Sequence, residues 1–371
     1  MTRLSSPMEG SAQSLISLKL VVIVLNYNGL RFLKECFGSL LNQTYRNMEI
    51  IMVDNASSDS SVEFVRENFP SIRIIRNATN LGFAAGNNVG IRYALQLNAD
   101  FVLVLNNDTF LERTTIQGLM NVAASMPEVG IVGPLIRDLD DPTVVQELGL
   151  DCDVLAYPGP TSRQVRDGIV SPFYVSGCAM LIKRQVFVDA GLFDSSYFIF
   201  AEDLDLCWRA RLAGYQVVAT SKATIYHKSG GTVIGGIARG KVHKTSVERL
   251  YLSRRNSLQT VVKNYGPIAL LFFLPSTVLF YMVTLIAAEL LGQNEIGRAY
   301  ILALIWNVRN MPATLQRRIA VQSTRKVSDW EVIRKLAGKS AFVRAYLSIG
   351  RVEVAKRTTS VPSPSARTSG L

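Results

Sequence analysis

Leu18-Lys19-Leu20-Val21-Val22-Ile23-Val24-Leu25-Asn26-Tyr27-Asn28 is the stretch that decides the fold. Its apolar run is continuous, short and rich in β-branched residues, as expected of a strand buried on both faces of a parallel sheet. A regular rhythm follows it. Leu30, Leu33, Phe37, Leu40 and Leu41 fall at helical spacing over 30–41. Glu49 to Val53 reads as a second buried strand ending at Asp54, and 59–69 as an amphipathic helix on Val62, Val65 and Phe69. Ile72 to Ile75 reads as a third strand, 84–97 as a helix and Phe101 to Leu105 as a fourth strand. Strand and helix alternating in this way predict an α/β fold, a mostly parallel sheet flanked by helices. Ligands of such sheets bind beyond the carboxyl ends of the strands. Polar residues gather at those ends: Asn26-Tyr27-Asn28, Asp54-Asn55 and Asn106-Asn107-Asp108.

At 371 residues, 48% of them apolar, the chain has material for one large core or two modest ones. Residues 292–371 carry 14 Lys and Arg against 4 acids, +10 of the formal +11, so the basic character belongs to a tail. Such a tail suits anionic lipid better than nucleic acid, because no nucleic-acid module is legible in it; a solvated helical face is the plain alternative. Cys36, Cys152, Cys178 and Cys207 are far apart, fitting reduced thiols in a cytoplasmic compartment. Residues 1–17 are polar and Ser-rich, without the basic and apolar regions of a signal peptide, and read as a disordered leader.

Several clusters carry chemistry. Asp108 follows the fourth strand, where a carboxylate is a hard ligand for Mg²⁺ or Mn²⁺ and a turn residue is the plain alternative. Asp54 stands where an acid bonds a nucleotide's base or ribose, and Asp59 where it caps the next helix. In Asn77-Ala78-Thr79-Asn80-Leu81-Gly82-Phe83-Ala84-Ala85-Gly86-Asn87-Asn88, small residues would let backbone approach a ligand, and the helix N-terminus after them would favour phosphate. Glu202, Asp203 and Asp205 crowd one stretch after an aromatic segment; burial would suit one of them to general-base work, and complementing a helix dipole is the plain alternative. His227, after an extended segment, is a metal ligand or a structural histidine.

Taken in order, these stretches resemble family 2 glycosyltransferases of the GT-A fold, and within them the bacterial and archaeal rhamnosyltransferase-like branch. The matching segments are 22–29, 53–59, 80–88, 105–109, Gly191-Leu192-Phe193-Asp194 and 202–209, within roughly residues 20–260. The resemblance implies a Rossmann-like GT-A fold and roles position by position. Asp54 would contact the base, and Asn28, Asn80, Gly82, Asn88, Asn106 and Asn107 would line the nucleotide-sugar pocket. Asp108 would hold Mg²⁺ or Mn²⁺, with His227 a second ligand. Asp203 would be the catalytic base beside Glu202, with Trp208 and Asp205 on the acceptor side. Asn106 departs from the acid that many relatives carry there, so metal affinity would rest on Asp108. The implied reaction is inverting transfer from a nucleoside-diphosphate sugar, dTDP-rhamnose or a UDP-sugar, to a hydroxyl of a glycan or lipid-linked saccharide. A nucleotidyltransferase would carry a Gly-rich basic loop at 26–29, and a non-catalytic module would tolerate loss of Asp203 or Asp108.

The uncharged run 268–288, interrupted by Pro275, is long enough to cross a bilayer. A single span would put the basic tail outside, against the positive-inside tendency. An interfacial or re-entrant segment, or a hairpin with Ala299 to Trp306, avoids this. The expected layout is a leader (1–17), a GT-A catalytic domain (18–265), a hydrophobic, membrane-associating and basic helical region (266–357) and a disordered tail (358–371). The expected location is the cytoplasmic face of a membrane, with anionic lipid as a partner and no nucleic acid.

Overall fold

The computed structural model describes residues 18–228, 238–239, 242–336 and 351–355. The expected leader and the tail 358–371 lie outside them, as does part of the basic stretch after 336. The first half alternates β1 (Leu20–Asn26), α1 (Leu30–Leu41), β2 (Met48–Asp54), α2 (Ser61–Asn68), β3 (Arg73–Arg76), α3 (Gly82–Gln96) and β4 (Phe101–Asn106). Next come β5 (Thr109–Leu111), α4 (Thr115–Ser125), β6 (Val129–Asp138), β7 (Val145–Glu147), β8 (Leu150–Cys152), β9 (Pro158–Pro160) and β10 (Ile169–Val170). Then follow β11 (Ala179–Lys183), α5 (Arg184–Ala190), α6 (Glu202–Leu212) and β12 (Gln216–His227). The rest of the described chain is chiefly helical: α7 (Val247–Asn264), α8 (Pro267–Leu290), α9 (Asn294–Arg309), α10 (Met311–Ser323) and α11 (Asp329–Ile333).

The main sheet runs β10-β12-β6-β11-β4-β1-β2-β3, with β5 on β12 and β7 on β6. β1 lies parallel between β2 and β4, while β11 enters antiparallel between β4 and β6. Leu20 to Val24 have no exposure, and their side chains alternate between two cores. Val21 and Ile23 pack with α3 and α6, Leu20, Val22 and Val24 with α1 and α4. Each such burial is worth about 1.5–3 kcal/mol. The register pairs Asn26 with Asp54 and Leu25 with Asn106, which brings the polar strand ends to one edge.

Trp208 belongs to this core rather than to an acceptor surface, which corrects the expectation. It is fully buried, edge-on to Phe173 and Tyr265 at centroid distances of 5.1 and 4.9 Å. The core does not stop at 265 either, since Val321, Val332 and Leu336 bury in the same cluster as Val21 and Trp208.

The apolar segment becomes α8, of 24 residues, which at 1.5 Å per residue is about 36 Å long. It buries one stripe, Ala269, Thr277, Tyr281 and Ala288, and exposes Leu271, Phe272, Leu279, Val283 and Ile286. Tyr281 meets Tyr300 of α9 edge-on at 5.0 Å, so α8 and α9 form a helical hairpin. Both its ends are tied to the rest of the described chain. Gly266 N donates to Asp329 Oδ1 (2.9 Å), Lys326 N to the Leu212 carbonyl (2.7 Å) and Arg318 Nη1 to the Val262 carbonyl (2.6 Å). A single pass through a bilayer, with the following chain on the far side, is incompatible with these ties.

Trp208→Ala should cost about 3–5 kcal/mol of stability by chemical denaturation, as cavities left by large aromatics do; an acceptor-side role would instead show as altered kinetics in a protein of normal stability.

Candidate active site

Asn26, fully buried at the end of β1, joins three loops. Its Nδ2 donates to Ser57 Oγ (3.1 Å) and lies 3.4 Å from Asp54 Oδ1, and its Oδ1 accepts from Asn107 Nδ2 (2.8 Å). Gly29 lets Asn107 in, because a Cβ there would stand 2.0 Å from Asn107 Nδ2. Asn28, in the left-handed region (φ 50°), accepts on Oδ1 from Ser58 N (2.7 Å) and ties the loops after β1 and β2. Asp54 is buried, accepts Ser57 N on Oδ2 (3.2 Å) and has Arg76 Nε at 3.9 Å.

The loop before α3 is organised by Asn55, which the sequence reading passed over. Its Nδ2 donates to Asn80 Oδ1 (2.9 Å) and the Gly82 carbonyl (3.1 Å), and its Oδ1 accepts from Asn77 Nδ2 (3.0 Å) and Leu81 N (3.1 Å). Three expectations about this segment are corrected. The N-terminus of α3 is not open to phosphate, because Phe83 N and Ala84 N donate to the Phe198 carbonyl at 2.6 and 3.1 Å. Gly82 (φ 78°) serves close packing, since a Cβ would fall 2.4 Å from the Phe198 ring. Asn88 is committed to backbone: its Nδ2 donates to the Phe193 carbonyl (2.7 Å) and its Oδ1 accepts from Phe193 N (3.1 Å).

Asn106 ends β4, and its carbonyl accepts from Thr109 Oγ1 (2.7 Å). Asp108 follows. Its Oδ1 is buried, with His227 Nε2 at 3.4 Å and no closer hydrogen-bond donor among the described residues. β5 pairs with the end of β12, setting Thr109 opposite His227, so distant segments bring the two side chains together. Gln146 orients the ring, its Oε1 accepting from His227 Nδ1 (3.1 Å) while its Nε2 donates to the His227 carbonyl (3.0 Å). Burial opposes the imidazolium, yet the Cys178 sulfur and Asp108 hold the ring's pKa above its usual value. Among the described residues no group of three or more His, Cys, Asp or Glu is placed to hold a metal. The Asp108–His227 pair fits an ion that completes its shell from water and substrate phosphate.

The acid pair opens α6. Asp203 Oδ2 accepts from Gly177 N (3.0 Å) and Oδ1 from Leu204 N (2.7 Å). Glu202 is buried, and its Oε2 has no hydrogen-bond partner among the described residues. Burial raises both pKa values, Glu202's further because Asp203 lies beside it, whereas the amide bonds to Asp203 favour its ionised form. Asp203 therefore ionises first. Glu147, absent from the expected set, joins this pocket: Ser176 N donates to its Oε1 (3.1 Å), and burial raises its pKa to about 7. A lone Glu after a three-residue strand carried no signal in the sequence.

Asp205 does not face an acceptor, a further correction. It has no exposure and meets Arg209 Nε at 2.8 Å, Lys263 Nζ at 3.0 Å and Asn264 Nδ2 at 3.2 Å. Burial would raise its pKa, but Lys263 and Arg209 outweigh that and lower it.

Residues 21–188 match the family model described as glycosyl transferase family 2. The matched segment holds β1 to β11 with Asp54 and Asp108, and Asp203 and His227 lie beyond it. The enzyme is 27% identical over 237 residues to an N-acetylglucosaminyl-diphospho-decaprenol L-rhamnosyltransferase of Mycobacterium tuberculosis, covering 57% of this chain and 77% of that protein. It is 28% identical over 204 residues to a low-salt glycan biosynthesis hexosyltransferase of Haloferax volcanii, covering 52% of this chain and 61% of that one. The crystal structure of S. aureus TarS 1-349 in complex with UDP shares the fold, with a TM-score of 0.50 and 17% identity over 85% of this chain and 89% of that one. The enzyme is thus a hexosyl-type glycosyltransferase with a GT-A fold.

Lys263→Met should destabilise the protein by about 3–5 kcal/mol in chemical denaturation, because Asp205 keeps its burial and loses a cation.

Proposed function

We propose that the enzyme transfers a sugar, L-rhamnose from dTDP-rhamnose in the first instance and otherwise a sugar from a UDP donor, to a hydroxyl of a lipid-linked saccharide, with inversion. The choice of L-rhamnose and of a lipid-linked acceptor is supported by the mycobacterial relative, an N-acetylglucosaminyl-diphospho-decaprenol L-rhamnosyltransferase. The observation that carries the mechanism is the difference between the two buried acids. Asp203 accepts two backbone amides, while Glu202 Oε2 accepts none. Asp203 is then the better-stabilised carboxylate of the two, and Glu202 the acid that ionises less readily.

Asp203 takes the acceptor hydroxyl's proton. The oxygen forms its bond to the anomeric carbon as the bond to the diphosphate breaks on the opposite face, and the diphosphate leaves with that electron pair. Asp54 and the Asn28 and Asn80 loops hold the nucleotide, with Asn107 and Asn26 bracing the loops beneath it. Asn106 lies on the sugar side. Asp108 and His227 would hold Mg²⁺ or Mn²⁺, which when bound supplies positive charge for the departing diphosphate.

Membrane contact is the second part of the proposal. The α8–α9 hairpin exposes Leu271, Phe272, Leu279 and Ile286 on one helix and Ile301, Ile305 and Val308 on the other. Within α9, Arg298 and Arg309 bracket the apolar stretch Ala299 to Trp306. An apolar face with basic flanks suits insertion into one leaflet of an anionic bilayer. This would leave the catalytic domain on the cytoplasmic face, beside a lipid-linked acceptor. The layout 18–265 and 266–357 then separates sugar chemistry from lipid contact, although α10 and α11 pack on the catalytic core.

Nucleoside-diphosphate release from dTDP-rhamnose and UDP-sugars, with a polyprenyl-diphospho-N-acetylglucosamine acceptor, tests the chemistry. Asp203→Asn should lower kcat by at least about 10²-fold, and Asp108→Asn and EDTA should each remove metal-dependent turnover. Because the base acts when deprotonated and its pKa is raised, kcat/KM should climb with pH on a limb lying above the ordinary carboxylate range. Turnover by Asp203→Asn equal to wild type would reject the base. In vesicle flotation the protein should bind phosphatidylglycerol-containing bilayers, and Phe272→Asp with Leu279→Asp should abolish it; unchanged flotation would reject the hairpin as the contact.

A further inference from the structure

The segment joining Tyr197 to the acid pair has an improbable backbone. Phe198 (φ 63°), Phe200 (φ 73°) and Ala201 (φ 63°) all lie in the left-handed half of conformational space, and none is glycine. At Phe198, with ψ −63°, the chain makes a tight γ-turn closed by Ile199 N donating to the Tyr197 carbonyl (2.8 Å). Such residues persist only where their surroundings impose them. Here the imposing groups come from two sides.

On one side stands α7. Asn256 has no exposure, and its Nδ2 lies 3.0, 3.0 and 2.7 Å from the carbonyls of Tyr197, Ile199 and Phe200. Arg255 Nη2 donates to the carbonyls of Ser196 (2.9 Å) and Tyr197 (2.7 Å), and its Nε donates to Asn256 Oδ1 (2.8 Å). On the other side stands the nucleotide loop, where Phe83 N and Ala84 N converge on the Phe198 carbonyl and Gly82 packs on the Phe198 ring. The Phe83 ring lies so close to Gly177 that a Cβ there would be 2.8 Å away, and Gly177 N is the donor to Asp203 Oδ2. The strained turn thus leads directly into Glu202 and Asp203 and shares its supports with the nucleotide loop.

We propose that Asn256 is a positioning residue for Asp203, latching the left-handed 198–201 turn so that the carboxylate is held in place relative to the nucleotide loop. This rests on Asp203 being the base. The two Nδ2 hydrogens are shared among three carbonyls, of which that of Tyr197 also accepts from Ile199 N and Arg255 Nη2, so a side chain without this donor frees chiefly the Ile199 and Phe200 carbonyls and leaves the turn free to relax to ordinary backbone. Relaxation moves the start of α6, loosens the Gly177–Asp203 contact and lets water reach the carboxylate. Nucleotide contacts at Asp54 lie on other elements and stay as they are.

The test is Asn256→Ala in full-length protein, assayed by dTDP release from dTDP-rhamnose with the polyprenyl-diphospho-N-acetylglucosamine acceptor, alongside dTDP binding by calorimetry and amide exchange over 196–204. Expected are a fall in kcat of tenfold or more, dTDP affinity within twofold of wild type, and faster exchange across 197–201. Ala201→Gly, which accepts a positive φ without a Cβ, should restore part of kcat in the Asn256→Ala chain and supplies the background for comparison should Asn256→Ala alone fail to fold. Activity and dTDP binding lost in step with folded fraction, or kcat and exchange unchanged, would overturn the proposal. Asp203→Asn in the same assay separates the two readings: an active Asp203→Asn rejects the base itself, whereas an inactive Asp203→Asn beside a wild-type-like Asn256→Ala rejects only the latch.

Discussion

The parallel pairing of β1 with both β2 and β4 is the constraint on which the site depends. It is held by side chains wholly removed from water on both sheet faces, so its register cannot slip without turning apolar side chains out of their cores. That register sets Asn26 beside Asp54 and Leu25 beside Asn106. Burial then makes Asn26 an organiser, because a buried amide must find partners. It finds them in Ser57 and Asn107, one on each neighbouring loop.

A second constraint acts from the far end of the chain. α7 carries polar and charged residues that are nearly all buried, among them Arg254, Arg255, Asn256, Gln259, Lys263 and Asn264. Such a helix is costly unless each group is answered. Lys263 is answered by Asp194 and Asp205, and Arg255 and Asn256 by the carbonyls of 196–200. The acids that looked like one functional cluster in the sequence therefore divide. Asp203 and Glu202 face the pocket with Glu147, while Asp205 locks α6 to α7.

Around Asp54, asparagine side chains bond one another and the backbone, whereas Asp108, His227, Glu202 and Asp203 are ionisable groups at or beside the ends of β5, β12 and α6. The α8–α9 hairpin extends from the rest of the chain and returns to it, so its apolar face is presented without separating α10 and α11 from the core they complete.

Much of the first half was legible in the sequence. A continuous β-branched run means a doubly buried strand and helical spacing follows it, because these are local periodicities; the roles expected of Asp54, Asp108 and Asp203 came from the family resemblance. The fates of Trp208, Asp205, Asn88 and Gly82 were decided only by tertiary contacts, because a residue's spacing does not say which partner, 50 or 100 residues away, will claim its polar atoms or close over its ring. Glu147 and Asn256 were invisible for the same reason, and Asn55, although it stood among the polar strand ends, showed no sign of its bracing role. Each acts through hydrogen bonds to segments far from it in the chain, and only the folded backbone brings those donors and acceptors within reach.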